Sequence, residues 1–251
     1  MVDTGGVGIE ITGLRKAFNG TEVLAGVDLR IEAGEIIVIV GGSGEGKSVL
    51  LRHIAGLETP DAGSVRFDGT ELMEYLRLPA AVKPFRMSMV FQGSALLNSL
   101  TVGENVSLRL KEHRTRSDEE IRQIVARCLA QVELAGTEQK MPGELSGGMR
   151  KRVAIARALA IEPQVILYDE PTADLDPILT AQIGELIRRI QATRGTTQVV
   201  VAHNLALATA IGIHIAVLRR GRIVDYQPAD ALGHSTNTYT QEFIRAANLK
   251  F

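Results

Sequence analysis

The stretch that decides the fold is Gly41-Gly42-Ser43-Gly44-Glu45-Gly46-Lys47-Ser48, which fits the phosphate-loop pattern G-x-x-x-x-G-K-[ST] at every position. An apolar, β-branched run at Ile36–Val40 precedes it, as expected of a buried parallel strand. A helical pattern follows from Val49 to Ile54, and Gly56 is placed to end that helix. This order of strand, turn and helix predicts that backbone amides and the positive end of a helix dipole face a bound phosphate.

The residue types inside the loop predict a division of labour. Glycines let the backbone approach the phosphates closely. Lys47 can reach the β- and γ-phosphates of a nucleotide, and the Ser48 hydroxyl can ligate Mg²⁺. We therefore expect the residues from Gly41 to Val49 to bind a nucleotide together with magnesium.

Composition sets limits on the rest of the chain. With 251 residues, 45% of them apolar, the chain can form one sizeable α/β domain. A net charge of −1 gives no reason to expect a nucleic-acid partner. The first residues do not resemble a signal peptide, and the apolar runs fall far short of the ~20 residues that span a bilayer. We expect any membrane role to depend on a partner.

Strand patterns occupy the first third of the sequence. Val27–Glu32 alternates strictly between apolar and polar residues, which predicts one buried and one solvated face. Ile9–Ile11 and Val65–Phe67 share that alternation, so an antiparallel flank is expected beside the main sheet. Further on, Val165–Tyr168 and Gln198–Ala202 are apolar runs separated by a helical pattern, which predicts a parallel α/β sheet.

Helical spacing dominates the middle of the chain. Ser117 and Glu120 form a capping-box signature, and an apolar stripe follows that includes Cys128. The single cysteine excludes an intrachain disulfide, and its place on the stripe predicts a core residue. Near the end, Ile215–Val224 is typical of a hairpin, and the tail from Thr236 to Phe251 carries a short helical pattern that the core need not include.

Polar side chains follow three of the apolar segments. Asp169 and Glu170 end the strand that begins at Val165, and His203 ends the next one. Because ligands gather at the carboxyl ends of parallel strands, Asp169 is predicted to hold Mg²⁺ and Glu170 to polarise the attacking water. His203 is predicted to orient phosphate or water there, and Gln92 to ligate Mg²⁺ or that water.

A second anion-binding helix terminus is predicted at Leu145-Ser146-Gly147-Gly148-Met149. Ser146 is a good N-cap, and the two glycines leave backbone amides bare at the start of a helix. One nucleotide seldom needs two such sites from one chain. The pattern therefore favours two chains packed head to tail, each serving the other's nucleotide. The basic run Arg150–Arg152 in the same helix is expected to be a solvated face.

These motifs, in this order and spacing, resemble the ATP-binding cassette (ABC) transporter ATPases over nearly the whole chain. The resemblance implies a RecA-like α/β core of about residues 8–92 and 160–226, with a mainly parallel sheet and an antiparallel β flank. It also implies an inserted helical subdomain of about residues 93–159 and a C-terminal extension of residues 227–251. Gln92 would be the Q-loop, Ser146–Met149 the signature and Glu170 the catalytic base. His203 would be the switch histidine, Asp176 would belong to the D-loop, and Phe18 would stack on the adenine of ATP.

A narrower resemblance links Gln92–Val102, Leu145–Arg152 and Tyr168–Thr172 to the Mla/Mce lipid-transport ATPases, whose signature also ends in Met. It implies a homodimer on the cytoplasmic face of a bacterial inner membrane that binds ATP and Mg²⁺ and moves phospholipid between inner and outer membranes. The implied partners are permease subunits, an MCE lipid-binding protein and a small STAS-domain subunit. The apolar pair Leu96-Leu97 predicts a permease-docking surface around Gln92–Val102 and the helical segment to Leu134.

Three residues depart from the family's pattern. Glu45 places a carboxylate inside the phosphate loop and is expected to point away from the nucleotide. Asn204 stands where an Asp often follows the switch histidine, and Asp174 stands where Gly or Ala is common.

An importer of amino acids or other polar solutes is the alternative function. ABC ATPases of translation or DNA repair commonly fuse two ATPase domains or insert a long coiled coil, which this sequence lacks.

Overall fold

The computed structural model describes residues 5–113 and 116–247. The strands within those ranges are β1 Ile9–Phe18, β2 Thr21–Ile31, β3 Ile36–Val40, β4 Ala62–Phe67, β5 Thr70–Glu71, β6 Met87–Val90, β7 Val165–Asp169, β8 Thr197–Ala202, β9 His214–Arg219 and β10 Arg222–Pro228. The α-helices are α1 Lys47–Ile54, α2 Leu72–Arg77, α3 Val102–His113, α4 Asp118–Gln131, α5 Gly147–Leu159, α6 Pro177–Arg194, α7 Leu205–Ile211 and α8 Thr238–Ala246.

The main sheet has six strands in the order β10-β9-β3-β8-β7-β6. All neighbours in it pair in parallel except β9 and β10, which form the predicted antiparallel hairpin. The predicted α/β class with a mainly parallel sheet is confirmed. Because β3, β8, β7 and β6 are consecutive neighbours, the loops that follow them share one edge of the sheet.

A second sheet has four antiparallel strands in the order β2-β1-β4-β5, which confirms the predicted flank. Its strand β2 begins at Thr21, six residues before the alternating run that predicted it. The pairing of β1 with β2 shifts register between Ile11 and Leu14 and again between Lys16 and Ala17. These irregularities interrupt the period of two and hide most of the hairpin from pattern reading.

Two hydrophobic cores lie on opposite faces of the main sheet. Ile36, Val38 and Val40 of β3 point into one core, together with the buried faces of α3 to α7. Ile37 and Ile39 point into the other, against α1 and the antiparallel sheet. Every residue of β3 is buried because helices or strands cover both faces. This double burial fixes the position of the loop that follows β3.

The helices α3, α4 and α5 follow β6 and precede β7 in the sequence, and they pack against one another. Ser117 caps α4 with the predicted capping box: its hydroxyl accepts from the Glu120 amide, and the Glu120 side chain accepts from the Ser117 amide. Cys128 is buried on the apolar stripe, and burial raises the pKa of its thiol, as expected of a core residue. The division of the chain into a core and a helical subdomain stays a prediction.

The tail is packed more closely than the sequence suggested. Tyr239, Phe243 and Ile244 of α8 contact the larger core, and Thr240 is buried. The carboxylate of Asp225 accepts hydrogen bonds from the hydroxyls of Ser235 and Thr240, so β10 holds the start of α8. The predicted extension of residues 227–251 lies within the described part of the chain as far as residue 247. None of the described helices combines the length and apolarity that crossing a bilayer requires.

Candidate active site

The predicted site residues follow four neighbouring strands of the main sheet. The phosphate loop follows β3, His203 follows β8, the Asp169–Glu170 pair ends β7, and Gln92 lies just after β6. In the sequence these segments are separated by up to about 160 positions, yet parallel pairing brings them to one edge. The sheet order therefore assembles the site.

Lys47 is folded over the phosphate loop. Its ammonium donates to the carbonyl oxygens of Gly41 at 2.9 Å and Gly42 at 2.8 Å. Burial lowers the pKa of Lys47, and the charges of Glu170, Glu45 and Asp169 act against that shift. The ammonium thus lies over the turn where phosphate oxygens can replace the carbonyls as acceptors.

The loop requires glycine at position 46, the last of its glycines. Gly46 has a φ of 99°, in the left-handed region that side chains disfavour. A Cβ atom built there would lie 2.9 Å from the carbonyl oxygen of Val23 in β2. Conformation and close approach both exclude a side chain, so the turn into α1 is fixed where β2 crosses it.

Ser48 and Asp169 bring two hard oxygen ligands together. The Ser48 hydroxyl donates to Oδ1 of Asp169 at 2.7 Å, and Asp169 is only 5% exposed. A hydroxyl and a carboxylate, completed by water and phosphate oxygens, suit Mg²⁺. The described residues contain no group of three or more His, Cys, Asp or Glu side chains placed to hold a metal alone.

Glu170 is the centre of a second polar group. Its φ of 46° is unusual for a residue with a side chain, and its amide donates to the carbonyl of Val201 at 3.0 Å. The Gln92 amide nitrogen donates to Oε2 of Glu170 at 3.1 Å, and Nδ1 of His203 lies 3.6 Å from that oxygen. The three predicted catalytic side chains therefore meet at one carboxylate. The role of Gln92 as a magnesium ligand stays a prediction.

The unusual Glu45 has a hydrogen-bond partner outside the loop, while its charge still acts on Lys47. Its carboxylate accepts a hydrogen bond from the backbone amide of Arg220, in the turn between β9 and β10. Asn204 caps α7 by accepting from the amide of Leu207 at 3.1 Å. Both departures from the family's pattern thus have local partners outside the phosphate-binding turn.

The signature segment presents an exposed helix terminus. The Ser146 hydroxyl accepts from the amide of Met149 at 3.2 Å, as predicted for an N-cap, and both Ser146 and Gly147 are exposed. Gly148 packs against Leu179, and Met149 packs on the larger core. Asp176 caps α6 through the Leu179 amide at 2.9 Å. Contacts of Ser146–Met149 and Asp176 with a second chain remain predictions.

Phe18 lies at the end of β1, opposite Thr21, and is 40% exposed. The ammonium of Lys16 stands 5.3 Å from the centre of its ring. An exposed aromatic face suits base stacking. Adenine stacking on Phe18 remains a prediction.

The expectation of a solvated basic face at Arg150–Arg152 is wrong for two of its residues. Lys151 is only 7% exposed and donates to the backbone carbonyl of Gln92. Arg152 binds the carbonyl of Val132 and the carboxylate of Glu133. The available signal was helical spacing, because Lys151 lies three residues after buried Gly148 and four before buried Ile155.

A contact from α8 also escaped the sequence reading. A Cβ atom at Gly42 would lie 3.7 Å from the hydroxyl of Tyr239. The guanidinium of Arg219 stands 4.1 Å from the centre of the Tyr239 ring. Nearly 200 residues separate Gly42 from Tyr239, so no local pattern could indicate that α8 adjoins the phosphate loop.

Comparisons with known proteins agree with this geometry. A family model described as "ABC transporter" matches residues 24–173. The "probable ribonucleotide transport ATP-binding protein mkl" of Mycobacterium tuberculosis is 39% identical over 244 residues, which is 97% of this chain and 68% of that protein. The "methionine import ATP-binding protein MetN" of Legionella pneumophila is 40% identical over 217 residues, 86% of this chain and 63% of that protein. "Protein TRIGALACTOSYLDIACYLGLYCEROL 3, chloroplastic" of Arabidopsis thaliana is 37% identical and covers 94% of this chain and 72% of that protein.

Solved structures share the architecture. The dimer of the ATP-binding cassette MJ0796 bound to ADP and Pi superposes with a TM-score of 0.78 at 33% identity, covering 88% of this chain and 98% of that one. The cbiO1 protein of Clostridium perfringens, described as part of the ABC transporter complex cbiONQ, has a TM-score of 0.80 at 28% identity. It covers 97% of this chain and 95% of its own.

Proposed function

The chain belongs to the ABC transporter family, and on that premise we propose that it powers phospholipid transport between the inner and outer membranes of a bacterium. What the family membership establishes is coarser: the chain is the ATPase subunit of an ABC transporter, which binds ATP with Mg²⁺ and hydrolyses it. The observation that carries the proposed site is the carboxylate of Glu170, which lies within reach of Gln92 and His203.

In the proposed mechanism each residue has one task. Lys47 and the amides of the loop would bind the β- and γ-phosphates, while Ser48 and Asp169 would hold Mg²⁺, which would supply positive charge beside the phosphates. Glu170 polarises the attacking water, and His203 and Gln92 orient that water and the γ-phosphate. Ser146 and Gly147 would complete the nucleotide site of a second copy, with the D-loop residue Asp176 at the same interface. Phe18 would stack on adenine.

Two observations support lipid as the cargo. The segments Gln92–Val102 and Leu145–Arg152 resemble the Mla/Mce ATPases, whose signature also ends in Met, as Met149 ends it here. The Arabidopsis relative carries a galactolipid in its name. By this proposal the partners are a second copy of the chain, permease subunits, an MCE lipid-binding protein and a small STAS-domain subunit, on the cytoplasmic face of the inner membrane.

An importer of small polar solutes is the second candidate. The methionine importer subunit of Legionella is as similar to this chain as the mycobacterial protein is, and the latter is itself named for ribonucleotide transport. Sequence identity near 40% therefore does not separate these cargoes. The resemblance of the segment after Gln92 to the Mla/Mce ATPases supports lipid, because polar-solute importers usually carry a different loop there.

A permease needs a surface to hold, and the structure contains a suitable groove. It has a volume of about 570 Å³, with an apolar floor that includes Tyr75, Phe85 and Leu110. Four cations line it, namely Lys83, Arg86, Arg109 and Arg116. Arg86 and Arg116 share Glu162 as an ion-pair partner, and Arg109 pairs with Glu112, so a surplus of positive charge remains beside the apolar floor. That combination would suit an amphipathic cytoplasmic helix with acidic residues. The groove includes residues of the predicted helical segment, but none from Gln92–Val102 lines it.

The deciding experiment is purification of the native membrane complex through a tag on this chain. Mass spectrometry would identify co-purifying subunits and bound lipids, and ATPase activity would be measured with phospholipid vesicles, methionine, sulfate or ribonucleotides. The proposal expects a permease, an MCE protein and stimulation by phospholipid only. A solute-binding protein with stimulation by a polar solute would establish the importer instead.

A further inference from the structure

Side chains of helix α5 bind backbone carbonyls of the segment that follows β6. Lys151 donates to the carbonyl oxygen of Gln92. One turn and a half later, Arg157 donates to the carbonyls of Ser94 at 2.7 Å and Ala95 at 2.6 Å. Two cations of one helix thus hold three carbonyls within four residues.

The backbone of this bound segment, from Gln92 to Ala95, is strained, so the contacts from α5 help to impose its conformation. Ser94 and Ala95 have φ values of 64° and 46°, in the left-handed region that residues with a side chain rarely adopt. Such conformations persist only where surrounding contacts impose them. A hydrogen bond from the Ser94 amide to the carbonyl of Phe91, at 2.9 Å, closes the turn. Arg157 is desolvated by burial, which lowers its pKa, so its charge is committed to these carbonyls.

Lys151 stands between this segment and two carboxylates. Burial lowers its pKa, while the charges of Asp174 and Glu170 oppose that shift. The lysine therefore adjoins the Q-loop through a hydrogen bond and the end of β7 through charge. A lysine on a solvated face, as the sequence predicted here, would neither bind the Gln92 carbonyl nor lie close to these two carboxylates.

The path continues to the proposed base. The backbone of Gln92 is bound by Lys151, and its side-chain amide donates to Glu170 at 3.1 Å. A displacement of the backbone would move the amide away from the carboxylate, since one residue carries both groups. Polar groups placed within about 0.5 Å of a productive geometry need such support.

We propose that Lys151 is a positioning residue: by holding the Gln92 carbonyl, it sets the reach of the Gln92 side chain to Glu170 and ties the signature helix to hydrolysis. Arg157 serves the same segment by imposing the turn at Ser94 and Ala95. This inference rests on the proposed role of Glu170 in hydrolysis, whereas the hydrogen bond from Lys151 to Gln92 does not depend on that role.

The test is a double-mutant cycle on the full chain. Lys151→Met keeps the length and apolar stem but removes the donor and the charge. We expect kcat to fall about tenfold with the KM for ATP changed less than about twofold, because ground-state binding by the phosphate loop is untouched. In a Gln92→Ala background the same substitution should lower kcat less than about twofold. Lys111→Met, at an exposed lysine of α3, is the matched control and should behave as wild type.

Hydrogen–deuterium exchange without nucleotide gives an independent readout. Lys151→Met should speed exchange at the Ser94 amide and its neighbours, while Lys111→Met and Glu170→Gln should not. The proposal would be overturned if the fold-losses in kcat of the two single variants multiplied in the double variant. Unchanged hydrogen exchange in Lys151→Met would overturn it as well. If Lys151→Met does not fold, Lys151→Gln, which retains a shorter donor, carries the same cycle. Normal turnover in Glu170→Gln would instead remove the role of Glu170 and leave the exchange result standing.

Discussion

Glu170 shows at the scale of one residue how backbone strain and side-chain placement serve the same site. Its left-handed backbone costs on the order of 1–3 kcal/mol, which neighbouring structure must offset. The strand β8 does so by accepting its amide at Val201. The strain turns the side chain out of the alternation of β7, toward Gln92 and His203. We infer that the unusual conformation is part of the catalytic geometry.

The first prediction concerns the chemistry at that carboxylate. Glu170→Gln keeps the shape of the side chain but removes its basicity, so we expect ATP to remain bound while turnover slows at least ~10²-fold. Phosphate release measures turnover, and equilibrium titration measures binding. Glu185→Gln, at an exposed position of α6, is the control and should hydrolyse normally. Near-normal turnover in Glu170→Gln would assign the base to another group.

The second prediction separates binding from chemistry. Lys47→Ala removes the ammonium that lies over the phosphate loop. We expect the Kd for ATP to rise about tenfold or more, because a charge-assisted contact to phosphate is lost in a partly desolvated place. Titration with a fluorescent ATP analogue measures it, with Lys140→Ala as an exposed control. An unchanged Kd would mean that the backbone amides alone bind the phosphates.

Residue identity predicted which side chains lie together at the candidate site where a motif fixes the residue types, and it failed where burial decides; the roles of these side chains stay predictions. Lys47, Ser48, Asp169 and Glu170 could be found because phosphate and magnesium demand those residue types at that spacing. Lys151 was misread, since a lysine is usually exposed and its acceptor is a carbonyl 59 positions away. A backbone acceptor leaves no trace in sequence.

Among the elements, the buried strands were the most predictable. β3, β7 and β8 are buried throughout and mostly apolar because both faces are covered, and their predicted bounds differ from the observed ones by one residue at most. The hairpin β1–β2 was found only in part, as its register shifts and Gly13 interrupt the alternation. Helix α8 was recognised, but its packing was not, because the partners of Tyr239 come from β9 and the phosphate loop.

The third prediction tests how α8 is held. Burial alone would raise the pKa of Asp225, but hydrogen bonds from Ser235, Gln227 and Thr240 outweigh it, so this pKa lies below its usual range. A depressed pKa in the folded state means that the carboxylate stabilises the packing above its unfolded pKa. That contribution is lost as the pH falls through the folded value.

We therefore expect Asp225→Ala to speed hydrogen exchange and proteolysis across α8 at pH 7, and wild type to approach the variant only in strong acid. Both measurements follow peptides from residues 235–246. Asp230→Ala, at an exposed acid two residues beyond β10, is the matched control. Equal protection of α8 in Asp225→Ala and wild type would show that apolar packing of Tyr239 and Phe243 suffices.

At the scale of the whole molecule, we predict that each chain supplies only part of a nucleotide site. The exposed residues Ser146 and Gly147 lie at the start of a 13-residue helix, whose N-terminal amides and dipole favour an anion. The ATP-binding cassette MJ0796, which has a similar structure, is a dimer. The fourth prediction follows from a head-to-tail pair, in which each nucleotide contacts Lys47 of one chain and Ser146 of the other.

Mixing Ser146→Arg chains with Lys47→Ala chains should leave some dimers with one intact composite site. We expect the mixture to hydrolyse ATP faster than either variant alone, measured at equal total protein. Mixing each variant with itself is the control. If Ser146 lay nearer its own chain's γ-phosphate than its partner's in a closed ATP-bound dimer, the arrangement would be wrong.

The last prediction concerns attachment to a membrane subunit. Leu96 packs on the core, while Leu97 is 45% exposed, so the apolar pair that motivated a docking surface is only half available. The groove beside α3 offers more, since its aromatic floor is flanked by Lys83, Arg86, Arg109 and Arg116. Charge attraction would orient an acidic amphipathic helix there and apolar contact would retain it.

We expect Arg109→Glu to abolish co-purification with the permease while leaving the basal ATPase activity of the isolated chain within about twofold, because Arg109 touches none of the proposed catalytic side chains. Arg122→Glu, an exposed reversal on α4 outside the groove, should co-purify normally. Leu97→Asp distinguishes the two surfaces. Loss of the permease in Leu97→Asp with retention in Arg109→Glu would place docking on the loop after Gln92 and not in the groove.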